Sequence, residues 1–148
     1  MNKFQISKRG FTLVELMIVI AIIGILSGIV MVSSKSSMDK SRKASALTTA
    51  DTTLPELVTC GDDDGIATNT VPSAGTGHYI CCTSTACAAA KDGHTETWPD
   101  ISKSKWSYTG SPTGTVILGT YKFTLTKDGG SGTGDDLITC DMVKNGCE

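Results

Sequence analysis

One acid interrupts an otherwise apolar run. Glu15 sits in GFTLVELMIVIAIIG, and residues 16–34 carry no charge at all. A bare carboxylate at membrane depth costs several kcal/mol unless something pairs with it. Its chemistry is therefore ion pairing, and the sequence must say with what. A second set of reactive groups follows the run. Six cysteines stand at positions 60, 81, 82, 87, 140 and 147. Their even number behind an export-type segment reads as a disulfide framework in an oxidising compartment. The Cys82–Cys87 spacing would also allow zinc, but the export signal argues against it.

The remaining candidates are weak. His78 and His94 are the only histidines, and His94-x-Glu96 has no companion ligand, so both read as surface side chains. The glycines of GGSGTG (129–134) follow a strand pattern, with no lysine or helix after them, so they do not form a phosphate cradle. No serine lies in a nucleophile motif. These observations argue against an enzyme. Asp62, Asp63 and Asp64 form one acidic loop cluster; Asp128, Asp135 and Asp136 form another. Neither has EF-hand spacing, and solvated acidic turns are the simpler reading. Without Lys3, Lys8 and Arg9 the chain would carry ten basic and fifteen acidic residues, which gives no support to nucleic-acid binding through the soluble part.

The elements that must position these groups fall into two kinds. Residues 11–34 would make a helix about 36 Å long, enough to span a bilayer. The basic residues before it favour a cytoplasmic N-terminus, with the rest of the chain on the outer side. The apolar core is too long for an ordinary secretory signal and lacks a clean cleavage site behind it. Gly24 and Gly28 form G-x-x-x-G, which allows close helix approach in an apolar medium. Residues 35–59 continue as the amphipathic half of the same helix, with Leu47, Ala50, Leu54 and Leu57 as its stripe and Ala44 extending it. Lys35, Lys40, Arg42 and Lys43 lie on exposed turns. Pro55 should break or kink the ladder, with the last turn restarting at Pro55-Glu56, and Gly61 should cap it, for a helix of about 48 residues.

Residues 60–148 read as a disulfide-containing head. Residues 60–77 form a loop, 78–82 and 105–109 are short strands, and 86–93 form a helical turn. Residues 120–126 alternate cleanly, with 115–118 in the same strand across a bulge at Gly119. Residues 127–136 make a turn, and 137–141 return as the next strand. The expected class is α+β, a long helix packed against a small antiparallel sheet. Cys140 and Cys147 are expected to pair. Cys60, Cys81, Cys82 and Cys87 tie the helix end to the first strand, and neighbours 81 and 82 point to opposite faces and so serve different partners.

Lys8-Arg9-Gly10-Phe11-Thr12-Leu13-Val14-Glu15, followed by the unbroken apolar run, resembles the cleavage region of type IV prepilins and type II secretion pseudopilins. The resemblance covers residues 8–34 and is specific. It implies a leader at 1–10, a membrane prepilin peptidase cutting between Gly10 and Phe11, and N-methylation of Phe11. It also implies a pilin-like α+β fold and copies of the same chain as partners in a helical filament. An inner-membrane assembly machine and its ATPase follow as further partners. The location implied is a single-pass inner-membrane protein, then a cell-surface pilus serving adhesion, twitching motility or DNA uptake. Glu15 would meet the new α-amine of Phe11 on a neighbouring subunit and set the axial register, pairing within the same subunit being the alternative. Major pseudopilins commonly hold calcium in a C-terminal loop, which makes Asp128, Asp135 and Asp136 weak calcium candidates. Relatives also expose cysteine-bounded loops near the C-terminus, and 140–147 resembles one. A prolyl kink within the membrane stretch, found in many relatives, is absent. A membrane-anchored binding module that never polymerises is the reading from a different class, and it leaves Glu15 and the Gly10–Phe11 junction without a purpose.

Overall fold

The computed structural model describes residues 10–148, and of residues 30–33 the backbone only. The leader, apart from Gly10, lies outside the described residues. Two compact units are present, one ending at Asp39 and the other running from Lys40 to Glu148.

The first unit is helical. Helix α1 spans Leu13–Asp51. Thr12 precedes it, and the chain lacks proline until Pro55, so nothing interrupts the ladder. Its side chains are apolar on every face through the first half, and they are exposed: Ile18, Ile22 and Leu26 are each more than half accessible. Such a helix fits a membrane or a bundle of helices. It is long and apolar enough to cross a bilayer.

The second unit is α+β. It contains the end of α1, then α2 (Leu54–Asp62), and a four-stranded antiparallel sheet in the order β1-β2-β3-β4. The strands are β1 Trp106–Thr113, β2 Lys122–Lys127, β3 Leu137–Asp141 and β4 Gly146–Cys147. Alternation decides which face is buried. Tyr121, Phe123 and Leu125 point inward, while Lys122 and Thr124 are only partly covered. Leu125 pairs with Ile138 and Phe123 with Cys140, so β3 continues the same face. That face joins Ala46, Ala50, Leu54 and Leu57 in one core. Trp98 stands edge-on to Phe123 at 5.0 Å and to Tyr108 at 5.5 Å, giving the core an aromatic centre.

Several expectations are corrected. The single helix of about 48 residues is two, divided at Thr52-Thr53 just before Pro55, which is the break expected of that proline. Pro55 has no N–H to offer Asp51, so the ladder ends there and restarts with proline in the first turn of α2. Gly61 is not the cap: α2 runs through it to Asp62, with Asp63 as C-cap and Asp64 in the left-handed region at φ 53°. Gly61 is small for another reason, because a Cβ there would collide with the Val116 carbonyl. Ala44 is exposed, and Ala46 takes the buried place.

Residues 115–118 are not strand. They belong to a turn in which the Thr120 N–H donates to the Thr115 carbonyl at 3.0 Å and Gly119 N–H to Val116 at 2.9 Å. Residues 78–82 make only isolated bridges, Cys82 with Ile66 and Ala90, and Tyr79 with Thr97. Residues 86–93 contain no helix. Disulfides rather than ladders hold this region. Strand β1 starts one residue later than expected, because Lys105 is left-handed at φ 63°, and it extends to Thr113 across an irregularity after Thr109.

Candidate functional site

The residues around Gly10–Phe11 are open. Phe11 is 86% exposed, and a Cβ placed on Gly10 would meet nothing. Immediately after that junction, Thr12 and Glu15 form a reciprocal cap. The Glu15 N–H donates to Thr12 Oγ1 at 3.3 Å, and the Thr12 N–H donates back to Glu15 Oε2 at 2.9 Å. The Thr12 hydroxyl also donates to Oε2 at 2.9 Å. This capping box satisfies two helix-end donors within the chain. The carboxylate also lies in the first turn, where the helix dipole favours a negative charge. Sequence reasoning missed this role, although T-x-x-E before an apolar run is its signature.

Further along α1, Gly24 and Gly28 have open space where a Cβ would go. Between them, the Ser27 hydroxyl donates to the Ile23 carbonyl at 2.7 Å, so its polarity is met within the helix. This surface is closely approachable on the glycine side and apolar around it.

The six cysteines form three disulfides: Cys60–Cys81, Cys82–Cys87 and Cys140–Cys147. The first joins α2 to the segment after the long loop. The second closes a small loop beside it. The third joins paired positions of β3 and β4.

The acidic candidates do not converge. Asp128 accepts from the Ser107 hydroxyl at 3.2 Å, Asp136 from the Ser131 N–H at 3.0 Å, and Asp135 faces Lys43 at 3.3 Å. Calcium requires six to eight oxygens around one point. Among the described residues, no group of three or more His, Cys, Asp or Glu side chains is placed to hold a metal. Lys43, expected on an exposed turn, is partly covered and engaged within its own chain by Asp135.

His94 is the largest departure from the sequence reading. It is buried, at 6% exposure, instead of lying on the surface. Its Nδ1 lies 2.7 Å from Glu56 and its Nε2 3.0 Å from Asp63. Those acids are 38 and 31 residues distant in sequence, so no local motif announces the contact. The bond to Glu56 raises the imidazole pKa above its ordinary 6.5. Burial opposes this, and the Asp63 bond with both negative charges adds to it. A cleft of about 380 Å³ in the second unit is lined by Ile66, Ala67, Pro112, Val116 and Tyr121 among others, and by no charged side chain.

Residues 6–31 match the family profile described as the prokaryotic N-terminal methylation motif. That motif is the hallmark of type IV pilin and pseudopilin precursors. No curated protein and no solved structure gives a significant match. The match supports a pilin-like or pseudopilin protein without separating the two, and the motif implies processing by a prepilin peptidase and filament assembly.

Proposed function

We propose that this chain is a structural subunit of a type IV pilus, cut between Gly10 and Phe11 and polymerised through its N-terminal helix. The observation that carries the reading is the methylation motif over residues 6–31, with an open Gly10–Phe11 junction and Glu15 held at the start of an exposed apolar helix. Hydrolysis adds water across that peptide bond. It leaves a carboxylate on Gly10 and a new α-amine on Phe11. The amine is largely protonated near neutral pH, with a reference pKa of about 7.7–8.0. The same enzyme then transfers a methyl group from a sulfonium-type methyl donor to the deprotonated amine, so that the new N–C bond replaces the donor's S–C bond, the donor leaves as a thioether and the amine's extra proton passes to water.

Glu15 supplies the counter-charge. Its bonds to Thr12 all reach Oε2, which leaves Oε1 for the amine of a neighbouring subunit. Inside an apolar core that pairing is strong and directional, whereas the surrounding contacts would slide. The glycines at 24 and 28 let adjacent helices approach. The subunit waits as a single-pass inner-membrane protein with its head outside the cytoplasm. An ATPase-driven assembly machine then extracts it into a surface filament.

A type II secretion pseudopilus uses the same N-terminal chemistry and is the alternative. The three disulfides and the scattered carboxylates of residues 128–136 favour the pilus. The test is intact mass and N-terminal sequencing from native membranes, beside a strain with an inactive prepilin peptidase. A chain beginning at methylated Phe11 only when the peptidase works is the expected result. Glu15→Gln should then be processed normally yet yield no surface filaments by electron microscopy. Normal filaments from that variant would remove the proposed role of Glu15.

A further inference from the structure

His94 is clamped at both nitrogens by carboxylates from the two ends of one helix. A neutral imidazole has one N–H donor and one acceptor nitrogen. Such a ring can donate to Glu56 or to Asp63, and its other nitrogen would then face a carboxylate lone pair at 2.7 or 3.0 Å. Only the imidazolium, with a proton on each nitrogen, satisfies both contacts. The helix gives a second reason for a positive charge here. Asp62, Asp63 and Asp64 follow one another at the C-terminal end of α2, where the dipole disfavours acids and favours cations. His94 is brought to that end by its own turn, in which its N–H donates to the Lys91 carbonyl at 2.9 Å. The Lys91 N–H in turn donates to the Cys81 carbonyl at 3.1 Å, and Cys81 is the disulfide partner of Cys60 in α2.

We propose that His94 is a pH-sensitive clasp, which in its protonated form fastens the turn at residues 91–94 to both ends of α2 and releases it when the ring loses a proton. The titratable groups bearing on the ring are Glu56 from the first turn of α2 and Asp63 from its cap; among the described residues none comes from the sheet or from the turn itself. The direction follows from the sign of the shift. The folded pKa lies above the unfolded 6.5. The clasp's contribution is therefore complete below the unfolded value and is lost as pH rises through the folded one. On release, one carboxylate loses its donor, and the acidic end of α2 loses its counter-charge. The end of α2 should fray, including the Asp63 and Asp64 amides that donate to Thr59 and Gly61 at 3.1 and 3.3 Å.

The test uses the full chain in detergent micelles. Long-range proton–nitrogen spectra should find both His94 nitrogens protonated at pH 6.5, with a titration midpoint above 6.5. Hydrogen exchange, corrected for its intrinsic pH dependence, should accelerate about tenfold or more at the Asp63, Asp64 and His94 amides across that midpoint, the factor that one charge-assisted hydrogen bond carries. His94→Gln should abolish the pH-dependent step. Asp63→Asn replaces the more exposed partner and should lower the midpoint without unfolding the head. A neutral His94 tautomer at pH 6.5, or exchange that crosses the midpoint unchanged, would overturn the clasp. So would a step that survives in His94→Gln.

Discussion

The two units use the same aliphatic residues to opposite ends. Ile25 is 67% exposed on α1, whereas Leu125 and Ile138 in the head are fully buried. The head closes on itself: one helical stripe meets one sheet face, and disulfides fasten the loops. In the first unit, the apolar side chains among the described residues are exposed. Its apolar surface is complete on every side of the helix, so what covers it must be lipid or other helices. Stability therefore rests on the burial within the head, and the proposed assembly rests on the helix. The largest expected effect tests that division. Phe123→Ala should cost the head about 3–5 kcal/mol, because it empties the aromatic centre beside Trp98. Ile25→Ala should leave the head's melting temperature in micelles unchanged and alter filament yield instead. A large drop in head stability from Ile25→Ala would break the comparison.

What the sequence disclosed follows the same line. The apolar run, Glu15 and the alternation of Tyr121, Phe123 and Leu125 were legible because each is periodic and local. The strand at 137–141 was legible for the same reason. The stripe through Leu54 and Leu57 was legible too, as was the break at Pro55, which falls at Thr52-Thr53. The T-x-x-E cap was present in the letters and went unread, since Glu15 had already been given another role. The rest depends on distant partners. His94 looks like a surface residue until α2 is folded beside it. Gly61 looks like a helix stop until the turn at 115–120 lies against it. Residues 78–90 resemble a strand and a helix in composition, yet two disulfides hold them in an irregular course.

Those disulfides give the next effect in size. The Cys60–Cys81 bridge closes a separation of 21 residues and lies fully buried. Replacing both cysteines by serine should destabilise the head by about 3 kcal/mol, read by thermal or denaturant unfolding. The pair Cys140–Cys147, separated by 7 residues, should cost less when removed. Gly65 is tied to the first bridge, since a Cβ there would collide with both sulfurs. Gly65→Ala should accordingly lower stability in the oxidised protein and have a smaller effect once the bridge is replaced by serines. Helicity of the first unit should be indifferent to all of these changes, and a parallel loss there would mean that the two units fold as one.

The smallest effect sharpens the comparison through a pair of acids. Glu15 and Asp141 both accept an N–H from a residue close in sequence, Thr12 for one and Val143 for the other. They differ in their cations. Asp141 is buried and has Lys122 within its own sheet, at 2.8 Å across the β2–β3 pair. Among the described residues, Glu15 has hydrogen bonds to Thr12 and no cation. The head thus carries its own counter-charge, whereas in the proposed filament the helix takes one from a neighbour. The Lys122 bond holds the Asp141 carboxyl below its usual 3.8; burial opposes this, and the Val143 amide assists. A depressed folded pKa means that the contribution is present above the ordinary value and is lost as pH falls through the folded one. Head stability should therefore decline on the acid side of pH 3.8, and Asp141→Asn should flatten that decline while leaving the alkaline limb to His94. An acid limb as steep in Asp141→Asn as in the parent chain would place the loss elsewhere. It would also remove the contrast between an acid that is paired on folding and one that is paired on assembly.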